Sequence, residues 1–326
     1  MLSGLWTIAK NSFIEIIRQP VYVILLTMGM AMIAFSPAVT MFSMVEDEKL
    51  MVDIGLATMV LLGIAISVLS VTQTISREIE RQTVGAILSK PVGRGLFVAA
   101  KFLGVTMAVA VAGWLLSLTL FITLRVGVPT AANYQADWPA MIAVVTPFLL
   151  AVAIGIYSNY FYRWSFSSTA VVFGALLYTV SMGLMLVVTP QWGLDLVPKV
   201  YLDRFLPEVA TAAALVWLGV WVISSVALAA STRVNVMLNA IICLTVFFVG
   251  MISQFLFGQF ADTSIPARVA QHIVPNLHVF WVGDALMHEV PLVPLRYLWT
   301  AAGYAGGYCA AMLAFAAFLF EKREVV

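Results

Sequence analysis

Charge is scarce in this chain. Asp, Glu, Lys and Arg together make up 10% of its 326 residues, where a soluble domain carries about 25%. With 62% hydrophobic residues and a mean hydropathy of +1.01, the apolar excess is too large for one globular core, so lipid must solvate much of it. The chain also lacks a GxxxxGK[ST] phosphate loop, so it cannot itself bind ATP in that mode. His272, His278 and His288, with Asp284 and Glu289, fall in a single segment at spacings that fit no HExxH or other common metal pattern. Nothing therefore points to an enzyme, to a cofactor or to a metal held by this chain. A net charge of +1 leaves no electrostatic footprint for nucleic acid. The two cysteines, Cys243 and Cys309, sit inside apolar runs and read as small core residues. Residues 1–20 lack the basic-then-apolar order of a secretory signal, so the first span is expected to act as an uncleaved anchor.

Long hydrophobic runs are what the chain has in plenty. A transmembrane helix needs roughly 20 mostly apolar residues to cross about 30 Å of hydrocarbon. Apolar runs of that kind, uncharged apart from Lys101, lie near 21–44, 54–75, 97–124, 140–162, 165–189, 209–232, 234–258 and 297–320. The expected fold is an all-α polytopic membrane protein, a helical bundle of about eight spans. Six is the alternative, should a hairpin at Arg163 or Arg233 be re-entrant. An even count puts both termini on one side. If that side is cytoplasmic, eleven basic residues lie inside (Lys10, Arg18, Arg77, Arg81, Lys90, Arg94, Lys101, Arg163, Arg233, Lys322 and Arg323) and six outside, as the positive-inside rule requires.

By this assignment no ionisable side chain sits in the middle of a span. Proton relays, ion sites and voltage sensors need such groups. Gln73, Asn159, Asn235, Asn239 and Gln254 read instead as hydrogen-bonding groups between helices. Two outer segments, 190–208 and 259–296, are rich in proline, glycine and aromatics. They are expected to hug the interface, with Trp192, Tyr201 and Trp281 as headgroup anchors.

Two stretches stand apart from the spans. Residues 1–20 form an amphipathic helix at the cytosolic interface, with Leu5, Trp6, Ala9, Phe13, Ile16 and Ile17 on one face and Asn11, Glu15 and Arg18 on the other. The remainder, 21–326, is one transmembrane domain. Within it, 77–94 gathers Arg77, Glu78, Glu80, Arg81, Lys90 and Arg94 and interleaves them with Thr83, Val84, Ile87 and Leu88. The spacing predicts a short cytosolic helix from Ser76 to Ser89, broken at Pro91 and Gly93. Loop charge alone explains the basic residues. The apolar ones make sense against a membrane surface or another protein.

With those residues in hand, the chain resembles the membrane subunit of ABC-2 type ATP-binding-cassette transporters. The resemblance rests on "LWTIAKNSFIEIIRQPVYVILL", "SREIERQTVGAILSKPVGRGLFVAAKFLG", "STRVN", "IVPNLHVFW" and the "EKREVV" tail, in the family's order along most of the chain. The family often shows a six-span core, so eight would mean an extra hairpin around 140–190. The resemblance implies an exporter in a prokaryotic-type inner membrane with both termini cytoplasmic. It implies a separately encoded ABC ATPase that holds ATP and Mg, and a second permease subunit, as a homodimer. The 77–94 segment would be the coupling helix on which the ATPase docks, through Arg77, Glu78, Glu80, Arg81, Thr83, Val84, Ile87, Leu88, Lys90 and Arg94. An ATP-independent secondary transporter or channel, or a membrane scaffold, is the alternative.

Overall fold

The computed structural model of the chain describes residues 2–40, 47–80, 94–127, 137–194, 206–258 and 294–321, together with 265, 269, 271 and 273–283. The described residues are helical apart from short turns and one antiparallel bridge, Val188–Leu194. We number the helices α1 Leu2–Ile17, α2 Pro20–Thr40, α3 Asp47–Glu80, α4 Arg94–Val126, α5 Trp138–Tyr162, α6 Phe166–Met185, α7 Leu206–Ser231, α8 Val236–Met251 and α9 Leu295–Glu321. Seven of these, all but α1 and α8, are long and apolar enough to cross a membrane. The all-α polytopic bundle is therefore the observed architecture.

The eighth expected span differs. The run 234–258 reads as one crossing, yet α8 has 16 residues and rises about 24 Å, short of the hydrocarbon thickness. Ile252 caps it, and a five-residue π-helical turn, Gln254–Gly258, follows. Crowding at the end of α8 accompanies the break. A Cβ on Gly250 would lie 2.8 Å from the Pro275 carbonyl oxygen and 2.9 Å from the Leu277 side chain. The chain at 273–283 presses into α8 there, and only a glycine admits it.

Helix direction follows from a few long-range contacts. Cys309 Sγ lies 3.5 Å from the Trp221 carbonyl, and the Arg233 guanidinium donates to the Leu319 carbonyl at 2.9 Å. Hence α7 and α9 run side by side in the same direction, and residues 232–294 carry the chain back to the end where α7 began. Phe97, near the start of α4, stacks on Phe320 at the end of α9, with ring centroids 5.9 Å apart. Both ends of the described chain therefore meet at one end of the bundle, here the α1 end.

The centre of the bundle is α4, which touches α1, α2, α3, α5, α6, α7 and α9. Small residues allow this. A Cβ on Gly113 would lie 2.6 Å from the Trp217 ring of α7, and one on Gly55 would lie 2.4 Å from Leu120. Tyr22 of α2 is buried and donates its hydroxyl to the Ala108 carbonyl at 2.8 Å.

The α5–α6 hairpin packs on the side of α4. Asp137 caps α5, accepting from the Ala140 N–H at 3.0 Å, and Pro139 fits the first turn where no donor is needed. Pro147 lies inside α5 and leaves the Ala143 carbonyl without its helical donor. Ser181 of α6 supplies one at 2.9 Å, and Tyr178 donates to the neighbouring Val144 carbonyl at 2.7 Å. At the tip, Arg163 closes α5 with φ 55°. That left-handed conformation costs a residue with a side chain roughly 1–2 kcal/mol, and glycine usually fills it.

Candidate functional site

The segment expected to carry function, 77–94, falls only partly on described residues. Arg77, Glu78 and Glu80 belong to the last turn of α3, and Arg94 opens α4. Arg81, Thr83, Val84, Ile87, Leu88 and Lys90 lie outside the described residues, as do 284–293 with His288, and 195–205 with Tyr201. The expected helix from Ser76 onward is, as far as Glu80, a continuation of α3 with no break after the span. At 34 and 33 residues, α3 and α4 are each about 50 Å long. Both exceed the hydrocarbon thickness by several turns, and they are the two arms that the 81–93 link joins.

What surrounds those arms is well defined. α1 seats on α4 at Gly104, where a Cβ would fall 2.6 Å from the Ser12 Cβ and 2.7 Å from the Ala9 carbonyl oxygen. Ala9, Ser12, Ile16 and Ile17 are buried in that contact, while Leu5 and Phe13 are half-buried and Trp6 is exposed. The helix is thus docked on protein along most of its apolar stripe, and Trp6 and Lys10 face outward. Lys101, two turns into α4, is buried and sits 5.6 Å over the Phe97 ring, a cation–π contact.

The second arm is fastened by a polar seam. Along α3, Ser67 shares a hydrogen bond with Ser224 of α7 at 2.8 Å, and a Cβ on Gly63 would be 2.8 Å from Val220. One turn further on, Asn239 of α8 donates to Thr72 of α3 at 2.9 Å and to the Ala227 carbonyl of α7 at 3.1 Å. Cys243 leans on the same amide at 3.5 Å, and both residues are fully buried. Of the five uncharged polar groups expected between helices, Asn239 is the one that bridges them among the described residues. Asn159 bonds the nearby Trp164 carbonyl at 2.7 Å, and Asn235 caps α8.

Toward the opposite end, a small apolar crevice of about 30 Å³ lies between α3, α7 and α8. Val60, Ile64, Val220, Ile223, Phe247 and Met251 line it, and Leu277, Phe280 and Trp281 cap it. Trp281 is therefore packed into the bundle, whereas the expectation made it a headgroup anchor; Trp192 is exposed, as an anchor should be. Residues 277–280 form a single 3₁₀ turn with Leu277 and Phe280 buried, Phe280 lying over Gly219. Its lining carries no charge, and the space is about that of one water molecule.

Also at the opposite end, Arg125 and Asp137 form a buried ion pair at 2.9 Å. Arg125 further donates to the Met185 and Val188 carbonyls. This clasp ties the end of α4 to both ends of the α5–α6 hairpin. Sequence reasoning missed it, although an Asp directly before Trp-Pro is a recognisable helix start. No group of three or more His, Cys, Asp or Glu that could hold a metal occurs among the described residues. Set against models of known protein families and against curated proteins, the chain matches none.

Proposed function

We propose that the chain is the membrane subunit of an ABC-2 type ATP-binding-cassette exporter, driven by a separate ATPase that docks on residues 77–94. One observation carries this reading. The 81–93 link joins α3 to α4, and these two helices between them touch every other helix of the bundle. A push at the link is therefore transmitted to the whole membrane domain. The charged residues of 77–94 would register the partner, and Thr83, Val84, Ile87 and Leu88 would supply its contact area. ATP and Mg belong to the partner. The α1 end is cytoplasmic in this reading, in a prokaryotic-type inner membrane, and a second copy completes the transporter. ATP binding can shift the membrane domain only if the ATPase contacts differ between its states.

The test is gentle solubilisation of the tagged chain from its native membrane, with identification of what comes with it. An ATPase in stoichiometric amount is the expected companion, and charge reversal at Glu78, Glu80 and Arg81 should release it. Leu88→Asp and Thr83→Arg should abolish transport-coupled ATP turnover while leaving the bundle folded. A folded preparation without any ATPase overturns the reading in favour of a gradient-driven carrier or a scaffold.

A further inference from the structure

At the tip of the α5–α6 hairpin the sequence and the backbone disagree. Arg163 adopts φ 55°, a conformation that favours glycine or asparagine. The turn is firmly held, since the backbone N–H groups of Arg163 and Trp164 both donate to the Ser158 carbonyl and Asn159 braces Trp164. Local folding would be better served by a glycine there. The guanidinium has no hydrogen bond or ion pair among the described residues, and the residue is exposed. It is also the sole charged residue between Trp138 and Met185.

Its neighbours are equally telling. Tyr157, Tyr160, Phe161, Tyr162 and Trp164 are all exposed, Tyr160 to 79%. Their rings touch one another at centroid distances of 4.5 to 6.2 Å. This cluster continues the exposed apolar side of α5, where Val145, Leu149 and Ile156 face outward. At the other end of the same hairpin stand Trp138 and Trp192, also exposed. The 25 residues of α5 separate these two aromatic groups by about 37 Å, close to the spacing of the two headgroup layers. Aromatic rings with a polar edge settle at that level.

We propose that the hairpin tip is an anionic-phospholipid site: the Arg163 guanidinium grips a headgroup phosphate of the leaflet at the α1 end, and the five aromatics hold the acyl–headgroup boundary around it. The planar fork of arginine matches two phosphate oxygens, and the left-handed backbone turns it out of the helix toward them. The proposal needs only the bilayer and does not depend on the transporter reading.

The test uses the full chain, purified in mild detergent and titrated with phosphatidylglycerol or phosphatidylcholine. Native mass spectrometry counts retained lipid, and thermal unfolding is followed alongside. Wild type should retain phosphatidylglycerol over phosphatidylcholine and gain Tm from it. Arg163→Gly should lose that preference and that gain, while unfolding in phosphatidylcholine no earlier than wild type, because the turn is relieved. Arg163→Gln, with its backbone unchanged, should lose the lipid equally, and Arg163→Lys should keep part of it. Equal phosphatidylglycerol retention by wild type and both neutral variants overturns the site. Displacement of the lipid by inorganic phosphate at equal phosphate concentration overturns the choice of a lipid as its ligand.

Discussion

The helices at the centre of the bundle and those at its margin are all apolar enough to cross a membrane but are built differently. In α3, α4 and α7, 72%, 67% and 72% of the spanning stretch is buried inside the chain; in α5, α6 and α9 the shares are 33%, 39% and 22%. Mean hydropathy does not account for this, since α5 at 2.3 matches α3 at 2.4, although α6 and α9 fall to 1.6 and 1.5. The glycines of α3 and α4 point differently from those of α9. Those at 55, 63 and 113 are filled by a neighbour's side chain, whereas a Cβ on Gly303, Gly306 or Gly307 of α9 would meet nothing. In lipid there is no hydrophobic force between helices, so close approach and hydrogen bonds must decide which helices pack. Total greasiness says only that a helix enters the membrane.

The comparison is broken most severely where margin is fastened to centre. Arg125→Met leaves Asp137 buried without its counter-charge and should cost about 3–5 kcal/mol, seen as a lowered Tm in detergent. Adding Asp137→Leu should restore part of that loss, since no orphan charge then remains. Next in size is Gly104→Val, which forces a side chain into the α1 backbone. It should cost about 1–3 kcal/mol and expose the 2–17 region to limited proteolysis. Asn239→Leu removes the amide that bridges α3 and α7 and should cost roughly 0.6–1.7 kcal/mol, again read as a Tm shift. The comparison is sharpened by Gly307→Val on the open face of α9, where the change should stay within about 0.5 kcal/mol. A large loss there would mean that α9 is covered after all by another chain.

Much of this was readable from the sequence, and the reasons differ by element. Spans at 21–44, 97–124, 140–162 and 209–232 needed only apolar length, and α2, α4, α5 and α7 occupy them within a few residues. The run 234–258 is helical for most of its length but interrupted, and hydropathy cannot register a backbone pressed against Gly250 by residues far along the chain. The reach of α3 from Asp47 to Glu80 was hidden for a related reason, since charge marks where a helix leaves lipid and not where it stops. The amphipathic pattern of 1–20 correctly gave a helix, but one apolar stripe looks the same whether lipid or α4 covers it. Gly104 was the available clue, a glycine inside a helix that some neighbour must approach closely. The Arg125–Asp137 clasp and the Asn239 bridge join residues in different helices, and their pairing appears only once the bundle is assembled.

Pro147 has a consequence for how the protein is made. A lone α5 entering the bilayer would present the Ala143 carbonyl to hydrocarbon without a donor, at a cost of several kcal/mol. The Ser181 hydroxyl that answers it belongs to α6, which the ribosome delivers only afterwards. The two helices are therefore best released from the insertion machinery as a pair, α5 waiting at its threshold until its successor has emerged.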